Sequence, residues 1–275
     1  MLSRLLKYDF RTMFKFWWIA ALSTMGLSVI GGICAVILDN EYNKHFSFQA
    51  IATLGVFLTA LGMMAFLVLS QVLVYVRFYR HFFTDEGYLA FTLPVKRCHL
   101  LSSKLIAAST VSVLTGIVLV ADLVIVMAIL LGDRLFDAQM WERRLRIITD
   151  VWKSLGGYMI TYGVEILLLL LALTVFSVLL MFCCITFAGV VVKKHKVLAA
   201  IGFCYGASAI LSFIMQWVML FGTYGIEGWF YTLPDAAVKA VIALALLAII
   251  LFVALVSVGL YVLNLWMIDR RLNLS

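Results

Sequence analysis

Two carboxyl groups stand first among the residues of this chain that could do chemistry. Asp122 and Glu165 both fall inside long apolar runs, where an ionisable side chain is costly unless it faces protein or water, and so is a default suspect for function. Either could form a proton relay. Glu165 lies near one end of its run, so contact with water is its plainer reading. The adjacent Cys183 and Cys184 could ligate a soft metal, although packing as small apolar residues is the commoner fate of such cysteines; no metal is assigned. The four histidines (His45, His81, His99, His195) all fall in connections between apolar runs, and neither H-E-x-x-H nor G-x-S-x-G occurs, which leaves an intramembrane hydrolase without its machinery. The phosphate cradle G-x-x-x-x-G-K-[ST] is absent too, so ATP chemistry would need a separate chain. The sequence reads as non-catalytic, with no cofactor bound by the chain itself.

What must position these groups is a set of helices in lipid. Hydrophobic residues make up 65% of the 275-residue chain and charged residues 13%, with a mean hydropathy of +1.11. Water-soluble domains of this length do not carry that composition. The fold class is all-α, a polytopic membrane protein forming a single transmembrane domain over 1–275. Six runs, 17–38, 49–76, 105–131, 158–192, 197–221 and 237–268, reach the roughly 20 residues a bilayer helix needs. The fourth would extend about 50 Å, past a hydrocarbon layer of about 30 Å, and is expected to tilt or to continue beyond lipid on its Lys193 side.

Basic residues orient the spans, because Lys and Arg are biased toward the cytoplasm. The N-terminal stretch, the second and fourth connections and the tail carry fourteen of the 21 Lys and Arg. The third connection opposes this with Arg134, Arg143, Arg144, Arg146 and Lys153, balanced by Asp133, Asp137, Glu142 and Asp150. Both termini are therefore placed in the cytoplasm, with the chain in the cell membrane. Ahead of the first span, Arg4, Lys7, Arg11 and Lys15 gather within about 80° of one helix face, opposite Leu2, Leu5, Leu6, Phe10, Met13 and Trp17. That pattern predicts an interfacial elbow helix over 1–16, its basic stripe toward anionic headgroups, anchoring topology or transmitting motion. No small-x-small site closes a short apolar core, and Ile33 stands before Cys34 where a lipobox needs a small residue, so the first span is expected to stay attached. Cys34, Cys98, Cys183, Cys184 and Cys204 fall in spans or on the cytoplasmic face, which leaves no extracellular disulfide. The net charge of +7 is assigned to lipid headgroups, not to nucleic acid.

On the outer side, 132–157 predicts a second amphipathic helix, with Trp141, Leu145, Ile148, Trp152 and Leu155 on one narrow face. It would float on the outer leaflet, or act as a substrate-capturing lid. The fifth connection, with Tyr224, Trp229, Phe230, Tyr231 and Pro234, reads as a loop over 222–236, either a gate dipping into the membrane edge or an aromatic belt.

The long water-compatible stretch is 77–104 on the cytoplasmic side. Asp85-Glu86-Gly87-Tyr88-Leu89-Ala90-Phe91-Thr92-Leu93-Pro94 joins an acidic pair, a glycine, an amphipathic turn and a proline stop, which predicts a short surface helix followed by Lys96, Arg97 and Lys104. A tight turn with no partner is the alternative. Glu86-Gly87, Leu93-Pro94 and then Leu100, Leu101 and Lys104 resemble the E-x-G…L-x-x-P…L-x-x-K pattern in the first cytoplasmic loop of type-2 ABC exporter permeases, and the wording is similar to small permeases of Gram-positive bacteria. The resemblance covers that loop in detail and the whole chain in layout. It implies a coupling helix seated in a groove of a separate ATPase, present in two copies that hold ATP and Mg. Tyr88, Leu89 and Phe91 would supply apolar anchorage, Asp85 and Glu86 polar contacts, and Lys193, Lys194 and Lys196 the second contact. It also implies a second permease chain, identical or homologous, moved by rigid rocking of the spans.

In the resembled family the path follows spans two and five. Thr59, Ser70 and Gln71 are the polar candidates in the former. Tyr205, Ser208, Ser212 and Gln216 form a single stripe in the latter, and polar groups in lipid are costly unless they face protein or a cavity. Serine can satisfy itself on its own helix backbone, so interhelix packing is an equal reading. Gly202 and Gly206 make a small-x-x-x-small face that permits close helix approach. The implied function is export of an amphiphile such as a hydrophobic peptide, bacteriocin, lipid or drug. The rival is a proton-coupled carrier using Asp122 and Glu165, against which stands the lack of an internal repeat or of a broken helix pair.

Overall fold

The computed structural model of the chain describes residues 2–39, 46–83, 97–132, 138–192, 196–230 and 234–270. Among them lie seven helices: α1 (Leu2–Asp39), α2 (Phe46–Phe83), α3 (Arg97–Leu130), α4 (Ala138–Leu155), α5 (Tyr158–Val191), α6 (Lys196–Phe230) and α7 (Asp235–Arg270). All except α4 are long and apolar enough to cross a membrane, so the chain is an all-α polytopic protein with six candidate spans. Unusual length is not confined to the fourth span. The six helices run 34 to 38 residues, or about 51–57 Å at 1.5 Å per residue, so each outruns a hydrocarbon layer of about 30 Å.

The added length comes from buried faces that continue past the apolar runs. On α1, Asp9, Met13, Trp17, Ala21, Thr24 and Ser28 are all buried at three- and four-residue steps that keep one face inward. No glycine or proline interrupts residues 2–25. The elbow expected over 1–16 and the first span accordingly form one unbroken helix, with Lys7, Arg11 and Lys15 exposed on its other side. On α2 the buried series Phe66, Ser70, Val74, Phe78, Phe82 carries the helix through the segment assigned to the connection. The loop expected over 222–236 is also shorter. α6 continues to Phe230, since glycines there lower helix propensity without removing a donor, and Pro234 starts α7 by accepting from the Ala237 and Val238 amides at 2.8 and 3.1 Å.

The chain divides into two compact units, one of residues 1–76 and 106–154, the other of 77–105 and 155–275. In the first, Trp17 on α1 donates through Nε1 to Thr115 Oγ1 on α3 at 2.9 Å, and Gly32 abuts Ile129 further along the same pair; the numbers rise together, so α1 and α3 are parallel. Against α2 they run opposite, from Trp17 beside Phe66 to Gly31 beside Thr59. In the second unit, α5 and α7 are parallel, with Tyr162 donating to the Lys239 carbonyl at 2.7 Å and the Thr186 hydroxyl 2.6 Å from Asn264 Oδ1. α5 and α6 meet where Cys184 and Phe187 lie against Phe203, and since α5 ends at Val191 and α6 begins at Lys196, close to that contact on both helices, they are antiparallel. These directions are what successive crossings of a bilayer require.

Helix α4 is the predicted amphipathic segment. Trp141, Leu145, Ile148 and Trp152 are all exposed on its apolar side, and it ends at Gly156, whose φ of +55° is the left-handed conformation that stops a helix most cheaply at glycine.

Candidate functional site

The residues 84–96, with the predicted contacts Asp85, Glu86, Gly87, Tyr88, Leu89, Phe91 and Pro94, lie outside the described residues, as do Lys193 and Lys194. Lys196 opens α6. The structure does define the base of that connection, because α2 delivers the chain to Phe83 and α3 takes it up at Arg97, both within the second unit.

The α2 side of this base is aromatic. Phe78 and Phe82 are fully buried, one turn apart, with ring centroids 4.8 Å apart. Phe78 stacks on Phe182 of α5, centroids at 3.8 Å and planes within 9°. One and a half turns on, Phe83 stacks on Tyr79 at 5.5 Å and lies directly against Gly189 of α5, where any side chain would collide with its ring. A well-packed aromatic pair contributes about 0.5–1.5 kcal/mol beyond buried area, which matters in lipid, where the apolar driving force between helices is lost and packing takes its place.

On the α3 side the contacts are polar. Arg97 Nη1 donates to the carbonyls of Ile268 and Asp269, both at 3.1 Å, and to Asp269 Oδ1 at 3.2 Å. It thereby caps the C-terminal end of α7, where free carbonyls and the negative end of the helix dipole attract a cation. Both partners are nearly half exposed, so the ion pair itself adds at most about 1 kcal/mol; its value is geometric. A turn deeper, Tyr261 of α7 donates to the Cys98 carbonyl at 3.3 Å. The Ser102 and Tyr261 hydroxyls also share a hydrogen bond of 2.8 Å. Leu100, Leu101, Ser103 and Lys104 are buried; the lysine expected at the membrane surface is covered.

The chain on either side of 84–96 is thus held by different helices, α5 before it and α7 after it. Sequence reading had no access to Phe182, Gly189, Asp269 or Tyr261. The four-residue spacing of Val74, Phe78 and Phe82 is the signal that could have carried the span past 76, where the sequence reading ends it.

The other candidates separate by unit. Thr59, Ser70, Gln71 and Asp122 belong to the first; Glu165, Tyr205, Ser208, Ser212 and Gln216 belong to the second. Thr59 is buried and donates to the Gly55 carbonyl of its own helix at 2.8 Å. Ser70 is buried with no partner for its hydroxyl among the described residues, and Gln71 accepts from Tyr75 at 3.0 Å. On α6 the whole stripe is exposed, with Tyr205 at 77%. Ser208 and Ser212 donate to the Tyr205 and Ala209 carbonyls at 2.9 Å, and a Cβ at Gly202 or Gly206 would meet open space. Glu165 is half-buried, and its Oε2 lacks a partner among the described residues. No protein-family model, curated protein or solved structure matches the chain.

Proposed function

We propose that this chain is the membrane subunit of an ATP-driven exporter of the type-2 ABC class, moving an amphiphilic substrate with energy from a separate ATPase that holds ATP and Mg. In this reading the Phe83 and Arg97 ends face the cytoplasm with both termini, and 85–94 docks on the ATPase. The observation that carries it is the construction of the loop's base. Force applied to 84–96 reaches α5 through Phe78, Phe83 and Gly189, and α7 through Arg97 and Tyr261. A rigid lever needs such anchorage on both sides, because a loop hung on frayed helix ends would absorb the push. A second permease chain is supported by α6, whose exposed Tyr205 and Gln216 are costly against lipid and, with Ser208 and Ser212 on the same stripe, suited to a shared path. Two permease chains take two ATPase copies.

The test is co-purification from the native membrane. Tyr88→Asp and Glu86→Ala should lose the ATPase while the permease stays inserted with an unchanged melting temperature. Recovery of wild-type amounts of ATPase with both variants would refute the docking role.

A further inference from the structure

Asp122 offers a second site, independent of any ATPase. It is fully buried on α3, eight residues or about 12 Å from the Leu130 end. Thr24 and Ser28 of α1, also buried and one turn apart, bring both hydroxyl groups to its carboxyl. Yet neither carboxyl oxygen of Asp122 has a hydrogen-bond partner among the described residues. Both hydroxyls are engaged on α1 itself. Thr24 donates to the Ala21 carbonyl at 2.9 Å and Ser28 to the Met25 carbonyl at 2.7 Å. Each hydroxyl has a single hydrogen, so what it turns to Asp122 is a lone pair. The α1–α3 register, with Trp17 at Thr115 and Gly32 at Ile129, brings Thr24 level with Asp122, whose carboxyl has no donor among the described residues.

We propose that Asp122, Thr24 and Ser28 form a binding site for a small monovalent cation, a sodium ion or a proton. The oxygen set is hard, as such cations prefer, and the single carboxylate matches one positive charge, leaving the loaded site neutral within lipid. Sodium would be held by carboxylate and hydroxyl oxygens together. A proton would sit on the carboxyl and be donated to one hydroxyl oxygen. Either ties α3 to α1, and removal leaves an uncompensated charge between them, so occupancy and the packing of the first unit are linked.

The test uses the full chain in zwitterionic lipid nanodiscs, with dicyclohexylcarbodiimide as a probe that labels protonated carboxyls in apolar surroundings, read by mass at Asp122. Sodium is titrated against choline at constant ionic strength, with melting temperature followed in parallel. A sodium site predicts labelling suppressed about tenfold at sodium near ten times its dissociation constant, and a melting temperature that rises with sodium. A proton site predicts labelling that falls about tenfold per pH unit above its midpoint and ignores sodium. Asp122→Asn should abolish labelling at 122 and every sodium or pH response of melting that the wild type shows. Should that variant not fold, Thr24→Val and Ser28→Ala each weaken the sodium response or shift the labelling midpoint. Absence of Asp122 labelling in choline at every pH, together with a melting temperature blind to sodium, overturns the proposal. So does labelling at Asp122 that neither cation changes.

Discussion

Gly189→Ala isolates the contact that holds α2 to α5 at the base of the 84–96 connection. A Cβ there would stand 2.6 Å from Cδ1 and 2.9 Å from Cζ of Phe83, whereas carbon atoms in contact keep about 3.5–4.0 Å. The collision has two ways out. Swinging the Phe83 ring aside forfeits its stack on Tyr79, about 0.5–1.5 kcal/mol; keeping the ring and shifting the helix costs the ~1–3 kcal/mol of overpacking. Alanine also gains up to about 1 kcal/mol in helix propensity over glycine, which would mask part of the loss. Gly163→Ala supplies the reference, since Gly163 lies on the same helix with nothing within 4 Å of its Cβ position. The two variants share the propensity gain, so their difference in unfolding free energy should be about 0.5–3 kcal/mol against Gly189→Ala, set by the cheaper of the two routes. Reversible unfolding in mixed micelles measures it. Adding Phe83→Ala should close most of the gap, because the atoms met by the new methyl are gone. Equal stabilities for the two alanine variants, or a gap that survives loss of the Phe83 ring, would refute the packing argument.

Thr186→Val removes the hydroxyl that lies 2.6 Å from Oδ1 of buried Asn264 and should cost about 1–2 kcal/mol in the same assay; adding Asn264→Leu should recover part, because a buried pair removed together leaves no orphan. Gly156→Ala forces a side chain into φ of +55°, a conformation about 1–2 kcal/mol unfavourable for L-residues. Its expected signature is faster hydrogen exchange at the α4–α5 turn, with exchange in the middle of α5 unchanged.

Helix count and class were legible because lipid leaves a local mark. A run of about 20 apolar residues is a span whatever surrounds it, and the amphipathic period of 141–155 is written in the same local way. Helix ends were less legible. Arg77 through Phe83 look like a connection when polarity is counted, yet they continue a four-residue buried spacing that begins at Phe66, and packing outweighs polarity there. The same reasoning joins the basic N-terminal stretch to α1 without a break, since Asp9 and Met13 share the inward face of Trp17.

Spacing along one strand of sequence determined the six spans, the amphipathic α4 and the suspicion attached to Asp122, for each depends on neighbours within a few turns. Tertiary structure alone decided that Phe182 and Gly189 meet the end of α2, that Arg97 closes α7, and that Thr24 and Ser28 face Asp122. The physical reason is that helix periodicity says which residues share a face, whereas which two faces meet depends on shape and polar matching between segments far apart in the chain.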